Sequence, residues 1–128
     1  MLVAYEVAGS LIRSLRSPVE LVAHHDSSLA DQLRRAASSI LLNVAERHRR
    51  IGRDRLHLFR VAAGSAAEVR AALDIASAWG YIGDESLAHP RELVDRELAL
   101  LWGLTRRARQ TRRARLRAGA DRLAASLG

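Results

Sequence analysis

The sequence predicts an all-α protein, an antiparallel bundle closed by four main helices. Three observations carry that expectation. Apolar residues recur at three- and four-residue intervals through most of the chain, the spacing that lays a stripe along one face of an α-helix. Ala and Leu abound while aromatics make up only 4%, a mixture suited to helices packed closely through small side chains. No internal repeat and no long linker interrupts the pattern. A chain of 128 residues, 48% of them apolar, is then most simply one domain able to bury about two-thirds of its unfolded surface.

The first helix is expected from about Leu2 to Leu15, with Tyr5, Ala8, Ile12 and Leu15 along one stripe. Pro18 lacks a backbone donor and restrains Ser17, so a break or kink is predicted there before "VELVAHH" regains helix. Ser28, with Asp31 three residues on, has the form of a capping box that starts the second helix. Its stripe is Leu29, Leu33, Ala36, Ala37, Ile40 and Val44, widened by Leu41 and Leu42. A turn near Arg49–Arg53 precedes a third helix from about Asp54 to Trp79, which buries Leu56, Phe59, Ala63, Ala66, Leu73 and Ala76. Gly64 lies in its middle, where Gly costs about 1 kcal/mol against Ala, and close approach of a neighbouring helix is the expected reason. Gly80 fits the C′ position after that helix, with Tyr81 and Ile82 folding back over it. Pro90 suits the first turn of a fourth helix carrying Leu93, Val94, Leu98, Leu100, Leu101, Trp102 and Leu104. That arc, like the one on the second helix, is wider than one seam needs. The surplus points to a further contact, most simply with a second copy of the chain.

The net charge of +7 is unevenly placed, and every basic residue is Arg. Residues 1–46 hold four Arg and five acids, and residues 61–105 three Arg and seven acids. Between them, residues 47–60 hold six Arg and one acid, and residues 106–128 hold eight Arg and one acid. Two basic blocks separated by neutral or acidic segments point to a polyanionic partner. The chain divides accordingly into a bundle, residues 1–105, and an Arg-rich helical extension, residues 106–128.

Other classes of function are argued against. Cysteine is absent, so neither a disulfide framework nor a thiolate metal site is available. The five histidines lack the spacing of a helical zinc site, and no cofactor or metal is expected. The opening "MLVAYEVAGS" has no basic region followed by a sustained apolar one, so no signal peptide is expected. The longest apolar run, Leu98 to Leu104, falls far short of the roughly 20 residues that cross a bilayer. A cytoplasmic protein is the expectation.

Two groups of residues are candidate sites. Ser39, Asn43 and Glu46 stand three and four apart on the second helix, and Ser65 and Glu68 three apart on the third. With Arg35 they read as a polar network that fixes the register of two Ala- and Leu-rich helices. A catalytic pair formed by Glu46 and Glu68 is the competing reading, but no nucleophile, metal cluster or phosphate-binding Gly loop accompanies it. The second group is basic. Arg47, Arg49, Arg50, Arg53, Arg55 and Arg60 crowd the junction of the second and third helices. Cations near the end of the second helix favour its dipole, whereas Arg53 and Arg55 at the start of the third oppose it. Arg106, Arg107, Arg109, Arg112 and Arg113 open the extension, where like charges at helical spacing repel unless an anion neutralises them. Guanidinium groups bind phosphate bidentately. With no aromatic platform beside them, backbone-directed binding of RNA or DNA is expected rather than base readout.

The segment "QLRRAASSILLNVAER", Gln32 to Arg47, resembles the second-helix signature of the four-helix-bundle proteins encoded in 23S ribosomal RNA intervening sequences. "AAGSAAEVRAAL", Ala62 to Leu73, resembles the third-helix signature of that family, and "WGYI" and "LLWGLTR" are similar to the ends of its third and fourth helices. The likeness runs over about residues 4–106. It implies an up-down four-helix bundle assembled as a ring-shaped homopentamer with a basic surface, and no enzymatic activity. Its distant relatives, accessory proteins of diversity-generating retroelements, imply binding of nucleic acid and of a reverse transcriptase. Arg47 stands where the family usually has Gly, Leu41-Leu42 where it often has Pro, and the extension after Arg106 lies beyond the shared core. The leading expectation is a non-enzymatic, homo-oligomeric protein that binds RNA or DNA through Arg–phosphate contacts. The alternative is a scaffold docking an acidic protein partner such as a reverse transcriptase.

Overall fold

Four helices, α1 (Val3–His25), α2 (Ser27–Glu46), α3 (Arg53–Ala78) and α4 (Asp84–Leu127), dominate the computed structural model, and no strand occurs among the described residues. Those are residues 2–46 and 53–127, with the side chains of Arg53 and Asp54 outside the description. α1 packs on α2 and α4, and α3 packs on the same two helices, so the four close around one core. Leu11, Val22, Leu33, Ile40, Val69, Leu73, Leu87, Val94 and Leu101 lie fully buried in it. The result is a four-helix bundle. Ala62, Ala63, Ala66, Ala72 and Ala76 line the buried face of α3, where short side chains let neighbouring axes approach to about 8 Å.

Polar pairs across the seams fix the helix directions. Between α2 and α3, Gln32 meets Glu68 and Ser39 meets Ser65, so the two helices run oppositely. Between α3 and α4, Arg70 meets Asp95, Asp74 meets Arg91 and Ser77 meets Asp84, again in opposite directions.

Several expectations are corrected at the level of single residues. The break at Pro18 does not occur, and α1 runs through it. An interior Pro costs about 3 kcal/mol. Pro18 is buried beside Leu15, Val19 and Val22, and each buried aliphatic side chain returns about 1.5–3 kcal/mol, so packing wins. The buried stripe of α1 is Ala4, Val7, Ala8, Leu11 and Leu15, while Tyr5 is exposed and Ile12 only flanks the core. The cap of α2 is Asp26 rather than Ser28: Leu29 N donates to Asp26 Oδ1 at 2.9 Å. A carboxylate accepts more strongly than a hydroxyl and suits the positive end of the helix dipole. α4 starts six residues before Pro90, at Asp84, with Asp84 and Glu85 in the favourable first turn. Gly64 faces open space, so no neighbouring helix of this chain explains it.

The end of α3 follows its sequence signal. Gly80 has φ 76°, Gly80 N donates to the Ser77 carbonyl at 3.0 Å, and Tyr81 N donates to the Ala76 carbonyl at 2.9 Å. This paired closure satisfies two otherwise orphaned carbonyls and requires the left-handed conformation that glycine adopts without strain. The chain then folds back, burying Ile82 and stacking Tyr81 on His25 with ring centres 5.2 Å apart.

Candidate functional site

Four of the six polar residues singled out in the sequence, Arg35, Ser39, Ser65 and Glu68, line a shallow groove between α2 and α3. Ser39 is its hub. Ser65 Oγ donates to Ser39 Oγ at 2.9 Å, and Asn43 Nδ2 donates to both the Ser39 carbonyl, at 2.8 Å, and Ser39 Oγ, at 3.1 Å. Gln32, absent from the sequence-based group, donates from Nε2 to Glu68 Oε1 at 3.1 Å. Arg35 lines the same groove, of about 310 Å³, with Gln32, Ser39, Ser65 and Glu68, and forms no ion pair with a described residue. Glu46 is half-buried at the end of α2. The cluster is a half-exposed seam, not a buried reaction chamber.

The arginines fall into two populations. Two of the three in the acidic segment, Arg70 and Arg91, are paired within the fold, while Arg96 is exposed and forms no ion pair among the described residues. Arg91 donates to Asp84 Oδ1 and to Asp74 Oδ1, both at 3.1 Å, and Arg70 donates to Asp95 Oδ2 at 2.8 Å. A 2.6 Å bond from Ser77 Oγ and the Arg91 guanidinium hold the Asp84 carboxyl below its usual range. The arginines of the basic blocks differ. Arg55, Arg60, Arg106, Arg107, Arg109, Arg112 and Arg113 are exposed, and none forms an ion pair among the described residues. Arg47, Arg49 and Arg50 lie outside the described residues. Arg53 opens α3, with its side chain outside the description.

Helix directions bring Arg55 and Arg60 to the same end of the bundle as the start of the Arg-rich extension. The pairs Arg70–Asp95 and Asp74–Arg91 advance one residue along α3 for each residue back along α4. Extended at 1.5 Å per residue on both helices, that register sets Arg60 about level with Thr105 and Arg106, and Arg55 about level with Gln110. The opposite end carries Asp74, Asp84 and Asp95 with their arginine partners. Charge is thus separated along the bundle axis.

One buried group escaped the sequence reading. Glu97 is wholly buried, neither carboxyl oxygen has a hydrogen-bond partner, and burial pushes its pKa up to about 8 against a smaller opposing effect of Arg96. Thr105 is buried with its hydroxyl likewise unpartnered. The signal lies in the spacing: Leu87, Pro90, Val94, Glu97, Leu101 and Thr105 keep strict three- and four-residue intervals, which set Glu97 on the buried stripe despite its charge. No group of His, Asp and Glu that could hold a metal ion occurs among the described residues. No helix among them is long and apolar enough to cross a membrane.

No curated protein matches the chain. A crystal structure of a protein of unknown function from the S23 ribosomal protein family of Bacteroides thetaiotaomicron is similar to it, with a TM-score of 0.74 at 16% identity. The likeness covers 80% of this chain and 97% of that one, and at this identity it concerns the fold alone. The family model of the 23S rRNA-intervening sequence proteins matches residues 3–103, which takes in α1, α2, α3 and α4 as far as Gly103. The chain therefore belongs to the 23S rRNA-intervening sequence protein family.

Proposed function

We propose that this chain is a non-enzymatic, cytoplasmic, nucleic-acid-binding protein, an up-down bundle that contacts the phosphates of RNA or DNA through arginine with little sequence selectivity. The observation that carries the reading is the pairing pattern. Arg70 and Arg91, two of the three arginines of the acidic segment, are neutralised by Asp74, Asp84 and Asp95, whereas those at the other end are exposed and unpaired among the described residues. Unpaired arginines at one end form an electrostatic footprint for a polyanion. The family's description concerns intervening sequences of 23S rRNA, which supports keeping RNA beside DNA as the target.

A fluorescence-anisotropy titration against labelled RNA and DNA over a range of salt tests it. Affinity should fall steeply as salt rises, because each neutralised phosphate releases counterions. Absence of binding at low salt, or binding indifferent to salt, would refute the proposal. Replacing Arg49, Arg50 and Arg53 by Glu should weaken binding while leaving the thermal midpoint in place.

The same proposal includes self-association as a ring of five copies, with residues 1–105 as the assembling bundle and 106–128 as its basic extension. Its support is the apolar surface left over when one bundle has closed. Leu42 and Trp102 are 68% and 53% exposed, and Val61, Ile75 and Trp79 follow one outer face of α3. That face equally suits the second reading, a scaffold docking an acidic protein such as a reverse transcriptase. Native mass spectrometry gives the subunit number, and pull-down after nuclease treatment retains a partner only if the scaffold reading holds.

A further inference from the structure

We infer that the C-terminal part of α4, from Arg106 onward, is a docking helix for double-stranded DNA that lies in the major groove. This rests on the nucleic-acid reading above and narrows it to one ligand form and one element. The segment lies beyond residues 3–103, so nothing shared with the family accounts for it.

The first observation is geometric. Ala108 is the last side chain of α4 packed against the core. From Arg109 to Leu127 the helix continues with its side chains exposed. At 1.5 Å per residue those 19 residues extend about 28 Å beyond the last core contact.

The second observation is how arginine is distributed around that helix. At 100° per residue, Arg106, Arg113 and Arg117 share one side, and Arg107 stands a quarter-turn away. Arg115 and Arg122 lie opposite the first group, while Arg109 and Arg112 fill the remaining arc. All eight are exposed and none is ion-paired among the described residues. Asp121 is the segment's one acid.

A flat acidic surface, whether lipid or protein, would neutralise one side of such a helix and leave the other repelling itself. A ligand that presents phosphates on both flanks meets the whole circumference. The B-form major groove does this: it is about 12 Å wide, takes an α-helix, and is edged by the two phosphate backbones. The A-form major groove of duplex RNA is deep and narrow. Single strands are bound chiefly by adding aromatic stacking platforms, and residues 106–128 contain no Phe, Tyr or Trp.

The full-length protein is titrated against a fluorescein-labelled 20-base-pair DNA duplex, its single strand, and the RNA duplex of the same sequence. The comparison protein carries Arg112→Gln, Arg113→Gln, Arg115→Gln and Arg117→Gln, changes that keep helix propensity and touch no core contact. The DNA duplex should bind about tenfold or more tighter than the other two, and the quadruple variant should lose most of that preference. Its log–log salt slope should be shallower by about three to four, at about 0.9 per phosphate contact. The wild type should protect guanine N7, which faces the major groove, from dimethyl sulfate, and the variant should not. Equal or tighter binding of the single strand or RNA duplex overturns this inference and leaves the broader reading standing. So does a variant with unchanged affinity and slope. No binding of any of the three ligands overturns both.

Discussion

Glu97 makes the stability of the bundle depend on pH in a window set by its burial. In the unfolded chain its carboxyl titrates near 4.5; in the fold, with both oxygens unpartnered and no exposed surface, it holds its proton to about pH 8. Between those values the folded state binds a proton that the unfolded state has released, so stability falls as pH rises. The fall is about 1.4 kcal/mol per pH unit, on the order of 5 kcal/mol across the window. Against total stabilities of about 5–15 kcal/mol for a domain, that is a large share. Asp84 acts in the other direction and elsewhere. Its lowered pKa lends stability that is present above the ordinary Asp value of 3.8 and lost as pH falls through the folded value.

The test is urea unfolding followed by circular dichroism at pH 5, 6, 7 and 8, at one protein concentration because assembly would shift the midpoint. Relative to Glu97→Gln, which cannot ionise, the wild type should lose about 1.4 kcal/mol per unit between pH 5 and 7.5. Glu97→Leu removes the unpaired polar group altogether and should be the most stable of the three at pH 8. If the wild type and Glu97→Gln run parallel from pH 5 to 8, the carboxyl is not held protonated in the core and the reasoning fails.

Three further outcomes rest on single contacts. Gly80→Ala forces a side chain into φ 76° and should lower stability by about 1–2 kcal/mol in urea titration, although open space surrounds the position. Asp26→Ala removes the acceptor of Leu29 N and should cost about 1 kcal/mol, while Asp26→Asn stays near wild type and Ser28→Ala changes little. Ser39→Ala deletes the acceptor of Ser65 and one acceptor of Asn43, with an expected loss of about 1 kcal/mol by thermal or urea unfolding.

How far these features could be read from sequence depends on where their causes lie. The stripes of α2 and α3 were legible because Leu33, Ile40, Ala63, Ala66, Leu73 and Ala76 keep one phase and each sits where its own helix turns inward. α1 was misphased because Tyr5 and Ile12 form a second apolar row beside Ala4, Val7, Leu11 and Leu15, and only the neighbouring helices decide between rows. Local backbone chemistry marks Pro18 and Pro90 as helix boundaries, whereas burial, a property of the assembled bundle, carries the helix through both. In the polar groove, the i,i+4 bond from Asn43 to Ser39 follows from helical spacing. Ser65 to Ser39 and Gln32 to Glu68 depend on how far α3 slides against α2, which no spacing within one helix specifies.

α4 makes the division between core and partner concrete. Up to Ala108 its buried positions keep three- and four-residue spacing, and the polar letters on that stripe, Glu97 and Thr105, are buried without partners. Past Ala108 the stripe loses its object, since no described residue beyond it packs on the core, and Arg109, Arg112, Arg113, Arg115, Arg117 and Arg122 spread over more than half of the helix circumference. Like charges at 106, 109, 112, 113 and 117 stand three and four apart and oppose the helix by about 0.2–0.5 kcal/mol per pair. A phosphate ligand reverses the sign of each of those terms. The net charge that the acids of residues 61–105 leave uncancelled is therefore concentrated where the fold holds it least and a polyanion gains most from meeting it.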